Sequence, residues 1–177
     1  MKTVMLIVVG VVGTILFLGL IAFAVGATLP VDHIVSITGT VPAPPAKVFA
    51  VITNVADGPT WRPEVKSVQV LPKDSFRDAW IEDMGSGTTM KFIAITTAPP
   101  GPNGKGDRKV ETKDPDYGGT WDFQLAPGPT PGSTTLTITE EGYITKSIYR
   151  FIMAYVLGPT HNLDVYMKEL QAEVAKS

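Results

Sequence analysis

Residues 147–177 read SIYRFIMAYVLGPTHNLDVYMKELQAEVAKS, and their hydrophobic period differs from that of the chain before them. Four apolar residues recur at intervals of four, three and four: Leu163, Met167, Leu170 and Val174. This spacing places them on one stripe of a helix. Gly158-Pro159 interrupts the segment, and proline removes a backbone hydrogen bond and clashes with the preceding turn. We therefore expect a C-terminal helix that is kinked or split there and buries one apolar stripe.

The chain before this helix alternates in the manner of β-strands. Seven strand-like runs are separated by breaks rich in Gly and Pro: His33–Val41, Val65–Leu71, Ala79–Met84, Thr89–Thr97, Lys109–Lys113, Thr120–Leu125 and Thr134–Thr145. A short helical stretch, Ala46–Val51, follows the prolines after the first run. The later separators are typical of hairpins between antiparallel strands. A curved antiparallel sheet covered by one long helix buries the helix stripe and leaves a volume between the two layers.

A long apolar segment precedes the first strand. Val4–Leu29 contains no charged residue, and at about 1.5 Å per residue it forms roughly 39 Å of helix, more than the ~30 Å core of a bilayer. A cleaved signal peptide is the alternative, because Ala22-Phe23-Ala24 offers small residues at a cleavage-like spacing. Signal peptides, however, usually carry apolar runs of only about 7–15 residues. The sequence therefore predicts an N-terminal transmembrane anchor over residues 1–31 and one domain over residues 32–177.

The few charges around this segment indicate its orientation. Lys2 precedes the span, whereas all 17 acidic residues lie at or after Asp32. The positive-inside bias then favours a cytoplasmic amino terminus, with the domain outside, in a periplasmic or extracellular space.

Composition excludes several classes of function. Beyond Lys2 the chain has 14 Lys and Arg against 17 Asp and Glu, which argues against a nucleic-acid partner. The absence of cysteine excludes a disulfide scaffold, a thiol nucleophile and Cys-ligated metals. His33 and His161 have no partner at metal-ligand spacing, so we predict no metal site and no cofactor. No nucleophile-elbow motif is present, and no residue is assigned a catalytic role.

The order of elements, together with particular residues, resembles the START-like (Bet v 1-like, SRPBCC) superfamily of polyketide cyclase/dehydrase and lipid transport proteins. The matching stretches are Pro44–Thr53, Asp57–Pro63, Val65, Ser67-Val68, Gly119–Phe123 and Thr139–Ile144. The resemblance extends from His33 to about Ala175. It implies an α+β helix-grip fold, in which a curved antiparallel sheet wraps around a long C-terminal helix and holds a hydrophobic ligand in between. The N-terminal anchor is a departure that many members lack.

Alternation and this resemblance together predict ten residues that line the cavity: Trp61, Trp80, Met90, Phe92, Trp121, Phe123, Glu140, Tyr143, Phe151 and Tyr155. Trp121 and Phe123 share one face of their strand, where ordinary core packing is the alternative. Trp61 lies in the turn region that closes one end of the cavity in the family. Phe151 and Tyr155 are four residues apart and share one helix face, which we expect to lie opposite the sheet.

Glu140 is the polar residue that does not fit its surroundings. Leu136 and Ile138 mark the inward face of their strand, and alternation points Glu140 inward as well. A buried carboxylate is costly unless it is paired, and such groups gather at functional sites. The alternative is that Glu140 reaches water, either because the strand leaves the core there or because of a bulge at Glu141-Gly142. After such a bulge, Tyr143 would turn inward. Our hypothesis is that Glu140 hydrogen-bonds a polar group of the ligand.

A local basic run precedes the sixth strand. It comprises Lys105, Arg108, Lys109 and Lys113, with acidic residues interleaved. We interpret it as a solvated strand face, with contact to anionic head groups as the alternative.

The sequence thus predicts a single-pass membrane-anchored domain that binds, and on one reading transfers, a hydrophobic small molecule or lipid. Its partners are that ligand and the membrane. One alternative is an enzyme of the cyclase/dehydrase type that uses Glu140 and Tyr143 as acid–base groups. Another is an interaction module whose cavity is filled by its own side chains. Ligand binding is favoured over catalysis because only one inward carboxylate and no histidine are among the predicted lining residues.

Overall fold

The chain forms one N-terminal helix, one antiparallel sheet and two groups of helices that cover or flank it. The computed structural model describes residues 2–74 and 77–176. Its elements follow in this order: helix α1 (Lys2–Thr28), strand β1 (Asp32–Val41), helices α2 (Pro45–Thr53) and α3 (Gly58–Trp61), strands β2 (Ser67–Asp74), β3 (Arg77–Gly85), β4 (Thr88–Ala98), β5 (Gly106–Lys113), β6 (Tyr117–Pro127) and β7 (Thr134–Ile144), and helices α4 (Ser147–Ile152) and α5 (His161–Val174).

All seven strands belong to one sheet, in the order β1-β7-β6-β5-β4-β3-β2. Every neighbouring pair is antiparallel. Each of the strands β3 to β7 pairs with the strand that directly precedes it in the chain. Strand β1 pairs with β7 from Asp32↔Tyr143 to Val41↔Thr134, so the first and last strands lie side by side. Helices α2 and α3 carry the chain from one sheet edge to the other. The predicted α+β helix-grip fold is confirmed.

Helix α5 covers the sheet with the stripe predicted from its spacing. Leu163 and Leu170 are fully buried, and Met167 and Val174 are nearly so. They pack into one core with apolar residues of β1, β6 and β7. Gly39 on β1 permits this close approach, since a Cβ there would lie 3.2 Å from the Met167 side chain.

The break before α5 falls where proline and glycine predict it. Helix α4 ends at Ile152 and widens into a π-type turn over Met153–Leu157. Gly158 follows with φ of 98°, a conformation that favours glycine, and α5 begins at His161. The C-terminal helix is therefore split, and its first half is free to pack away from the sheet.

Helix α4 packs against the last turns of α1. Arg150, 9% exposed, donates from Nε to the carbonyl oxygen of Gly26 at 3.0 Å. Its Nη1 donates to the carbonyl oxygens of Ile144 and Thr145, at the end of β7. A Cβ at Gly26 would overlap the backbone of Ser147, so only glycine permits this approach. The rest of α1 projects from the domain, and residues 4–21 are all exposed. The segment Val4–Thr28 is apolar and long enough to cross a membrane.

Candidate functional site

A cavity of about 680 Å³ lies between the concave face of the sheet and the C-terminal helices. Its volume falls in the range of small-molecule sites, about 300–1,000 Å³. Residues from α2, α3, α4, α5 and six strands contribute to its walls. The cavity is therefore open space rather than a core filled by the protein's own aromatic side chains.

Eight of the ten residues predicted to line a cavity do line this one: Trp61, Trp80, Met90, Phe92, Trp121, Phe123, Glu140 and Tyr143. The rings of Trp80 and Phe92 stack across β3 and β4 at 5.5 Å with an interplanar angle of 14°. Tyr166 of α5 contacts the rings of Trp121 and Phe123 at 5.7 Å and 5.3 Å. The aromatic wall thus continues from the sheet onto the helix. That these residues bind a ligand remains a prediction.

Phe151 and Tyr155 do not line the cavity. Their rings contact each other at 5.3 Å, as their spacing predicts, but Phe151 lies against Gly26 of α1 and Tyr155 is 62% exposed. Tyr149, Ile152 and Met153 face the cavity instead. The helix is rotated from the predicted orientation because its other face is taken by α1, a contact that spacing within α4 cannot reveal.

The cavity meets solvent at this same helix. Tyr149 and Leu157 line the cavity while remaining 49% and 46% exposed. Val156, next to them, is 66% exposed. An apolar mouth, formed by α4 and the π-type turn that follows it, therefore opens beside the end of α1.

A buried ion pair marks the wall formed by α3 and β3. Arg62 donates from Nη1 and Nη2 to the two carboxylate oxygens of Glu82, at 3.0 Å and 2.9 Å. Glu82 is 3% exposed and also accepts from Trp80 Nε1 at 3.0 Å. Arg62 Nε donates to Glu64 at 3.1 Å. Burial opposes the charge on Arg62, but Glu82 and the other acidic groups around it together outweigh burial and raise the pKa of the arginine above its ordinary value.

Tyr166 lies between two arginines at this wall. The Arg62 guanidinium is 5.5 Å from the Tyr166 ring centroid, and Arg108 is close enough to favour the ionised phenol electrostatically. Burial outweighs both arginines and raises the pKa of Tyr166 to about 12. At neutral pH its hydroxyl is therefore a neutral group that can donate or accept a hydrogen bond.

Arg108 corrects the interpretation of the basic run as a solvated face. It is 3% exposed and lines the cavity, with its guanidinium 5.4 Å from the centroid of the Trp80 ring. Arg108, Val110 and Thr112 share the inward face of β5, while Lys109 points outward. Burial lowers the pKa of Arg108 from its ordinary value, although an arginine stays charged at neutral pH.

The end of the cavity near the mouth holds a second charged pair. His33 Nε2 of β1 lies 3.5 Å from Glu140 Oε1 of β7, with side-chain exposures of 29% and 18%. Contact with Glu140 raises the pKa of His33 although partial burial opposes it. The register of β7 runs without a shift on both sides, so alternation carries Glu140 inward. The alternative, a bulge at Glu141-Gly142, is absent from these pairings. Tyr143 lines the cavity as well, and its hydroxyl donates to the carbonyl oxygen of Asp114 at 2.7 Å.

The profile of a protein family described as polyketide cyclase / dehydrase and lipid transport matches residues 41–160, about two thirds of the chain. The chain belongs to this family. The match begins at the end of β1 and reaches the start of α5, so it contains almost all of the cavity wall. No curated protein sequence matches this family member significantly.

Solved structures similar to this polyketide cyclase/dehydrase family member share its START-like fold. A START superfamily protein from Mycobacterium smegmatis has 21% identity and a TM-score of 0.59, over 81% of this chain and 98% of that one. Norcoclaurine synthase from Thalictrum flavum has 12% identity and a TM-score of 0.59, over 83% and 88%. The Zhui aromatase/cyclase from Streptomyces sp. R1128 has 15% identity and a TM-score of 0.59, over 82% and 94%. At these identities the similarity establishes the fold alone.

The cavity residues of this family member that were not predicted from the sequence include His33, Arg62, Glu82, Arg108 and Tyr166. Arg108 is two residues before the apolar Val110, and this spacing places both on the same face of the strand. That spacing is a signal that could have identified Arg108. Glu82 shares a strand face with Trp80, which is the corresponding signal for Glu82. His33 and Glu140 are 107 residues apart, and no local pattern indicates that pairing.

Proposed function

We propose that this protein is a membrane-anchored domain that binds a hydrophobic small molecule or lipid in the 680 Å³ cavity. The observation that carries the proposal is the position of the cavity mouth. Tyr149 and Leu157 border the mouth on the helical segment that packs against the end of the apolar helix α1. With α1 in a bilayer, the mouth lies at the membrane surface, where an apolar ligand is most concentrated.

The chemistry of the cavity wall supports an apolar ligand. Each CH₂ group that leaves water gains about 0.8 kcal/mol, so an alkyl chain against the Trp, Phe, Met and Val side chains here binds with few polar contacts. Most of the charged side chains in the wall are already paired with one another: Arg62 with Glu82 and Glu64, and His33 with Glu140. They leave an apolar path between the mouth and the inner wall.

The experiment is native mass spectrometry of the full chain, extracted from membranes into mild detergent and then denatured to release bound molecules. We expect one apolar molecule per chain. Met90→Trp, which fills part of the cavity, should lower its occupancy at least severalfold, whereas Lys91→Trp, on the exposed side of the same strand, should leave occupancy unchanged. An empty wild-type protein that also takes up no added lipid would refute the proposal.

A second candidate function, acid–base catalysis, rests on the His33–Glu140 pair. Both groups line the cavity 3.5 Å apart, and a histidine beside a carboxylate is a common general base. Tyr143, the partner first predicted for Glu140, uses its hydroxyl on Asp114. Incubation of the purified chain with the molecule it carries distinguishes the two functions: a mass change that His33→Gln abolishes indicates catalysis, and an unchanged mass indicates binding alone.

A further inference from the structure

Arg108 is a buried cation whose hydrogen-bonding groups are unused. It is 3% exposed, yet within residues 2–74 and 77–176 its guanidinium makes no hydrogen bond and no ion pair. A guanidinium has five N–H donors, and buried polar groups nearly always have partners. The Trp80 ring at 5.4 Å contacts the face of the cation but accepts none of these hydrogen bonds in their plane.

The surrounding charged groups do not replace such a partner. Asp78 attracts Arg108 electrostatically, but it lies beyond ion-pair distance, its side chain is 55% exposed, and it forms an ion pair with Lys73 at 3.5 Å. Arg108 and Asp78 also line a second, smaller pocket next to the main cavity. Glu82 and Glu64 are both bonded to Arg62. The positive charge of Arg62 is therefore already paired. Arg108 is the cavity arginine whose charge is left open to a ligand.

Resting on the proposed function, we infer that the ligand is an amphipathic monocarboxylate whose carboxylate binds Arg108 while its apolar tail extends toward the mouth. Tyr166 lines the same cavity, and its neutral hydroxyl is a further hydrogen-bond donor available to such a ligand. The planar guanidinium matches a carboxylate through two parallel N–H···O bonds. A phosphate monoester would bring about −1.5 to −2 charges against one open cation.

The register of the sheet gives the orientation of the ligand. Thr112 pairs with Gly119, Gly119 with Gly142, and Gly142 with His33, so these residues lie at one level of the sheet, near the end of α1. Arg108 lies four residues further along β5 on the same inward face, about 13 Å deeper at ~3.3 Å per residue. The carboxylate therefore enters first and the tail fills the apolar path behind it.

The test compares laurate with its methyl ester, which has the same tail and no charge, for displacement of the neutral dye Nile red from the full chain in phosphatidylcholine nanodiscs. Empty nanodiscs correct for partition into lipid. A charge-assisted hydrogen bond predicts that laurate binds about tenfold or more tightly than the ester. Arg108→Gln should remove that preference and leave ester affinity within about twofold. Lys109→Gln, which removes the same charge from the outer face of β5, should keep the preference.

Several results would overturn the inference. Equal affinity of the wild type for acid and ester refutes it but leaves the proposed function standing, because both ligands still bind. Tighter binding of lauryl phosphate than of laurate refutes the carboxylate assignment. Displacement by neither ligand refutes the inference and the proposed function together.

A second measurement is independent of how well the Arg108→Gln protein folds. Laurate labelled with ¹³C at its carboxyl carbon and bound to the wild-type chain should titrate at a lower pH than laurate in empty nanodiscs, because an adjacent guanidinium stabilises the carboxylate. Titration at the same or a higher pH would contradict the assignment.

Discussion

Arg150 donates a hydrogen bond from Nε to the carbonyl oxygen of Gly26 at 3.0 Å, joining α4 to the last turn of α1 across 124 residues of sequence. The same guanidinium binds two carbonyl oxygens at the end of β7. One buried cation therefore joins three segments: α1, the helix at the cavity mouth and the sheet. On the proposal that α1 spans a membrane, this arrangement determines where the mouth lies relative to the bilayer.

The packing of α1 on α4 predicts that Gly26→Ala weakens the attachment of α1 to the domain. Its added methyl group overlaps the Ser147 backbone, whereas a Cβ at Gly19 meets nothing within 4 Å. The chain has no cysteine, so a thiol-reactive dye labels the variant Val156→Cys at that position alone. The fluorescence of this dye should be quenched by brominated phosphatidylcholine in nanodiscs. Gly26→Ala should reduce that quenching at least twofold, and Gly19→Ala should not.

A dye on Gln124→Cys, an exposed side chain at the opposite end of the sheet, is the control for membrane proximity. Equal quenching at positions 124 and 156 would contradict the orientation.

The buried pair of Arg62 and Glu82 predicts a large loss of stability on Glu82→Gln. Removing one partner of a buried ion pair leaves an uncompensated charge and costs about 3–5 kcal/mol. Glu64→Gln, which breaks the more exposed contact of the same arginine, should cost less than about 1 kcal/mol. Urea unfolding followed by tryptophan fluorescence measures both values, and similar losses for the two variants would show that Glu82 is not the principal partner.

The contact between His33 and Glu140 predicts a pH dependence of stability. A histidine whose pKa is raised by folding contributes stability that is fully present below its unfolded value of about 6.5, and that is lost as pH rises through the higher folded value. The melting temperature should therefore contain a component that falls as pH rises above about 6.5. This component should be absent in His33→Gln and smaller in Glu140→Gln.

If Glu140 contacts the ligand, Glu140→Gln should also change ligand affinity and its pH dependence. Unchanged values of both would eliminate the hypothesis that Glu140 bonds the ligand.

The fold was predictable because its determinants are local. Spacing within one element predicts each of three features. These are the helix stripe that contains Leu163 and Leu170, the break at Gly158-Pro159, and the shared strand face of Trp121 and Phe123. The site was predictable where it is apolar, since alternation identifies inward faces. The site was not predictable where it depends on residues that are far apart in sequence, such as His33 and Glu140. Nor was it predictable where α1 covers one face of α4.

A pair of carboxyl groups on the outer face of the sheet predicts a pH dependence in a lower range. Burial and a hydrogen bond with Asp122 raise the pKa of Asp107 from 3.8 to about 6. An acid whose pKa is raised by folding stabilises the protein while protonated, so stability should fall as pH rises from about 4 to about 6. Asp122→Asn should flatten this decline and raise stability at neutral pH by less than about 1 kcal/mol. Glu141→Gln, an exposed change on the neighbouring strand, should leave the decline intact.

The most direct test of a ligand-binding cavity uses the three tryptophans, since Trp61, Trp80 and Trp121 all line it. A brominated alkyl carboxylate is titrated into the full chain in unbrominated nanodiscs while intrinsic fluorescence is recorded. The proposed function predicts saturable quenching of most of the emission at one ligand per chain, and its reversal by unbrominated laurate. Emission that stays unchanged, while the compound partitions into the same nanodiscs, would contradict it.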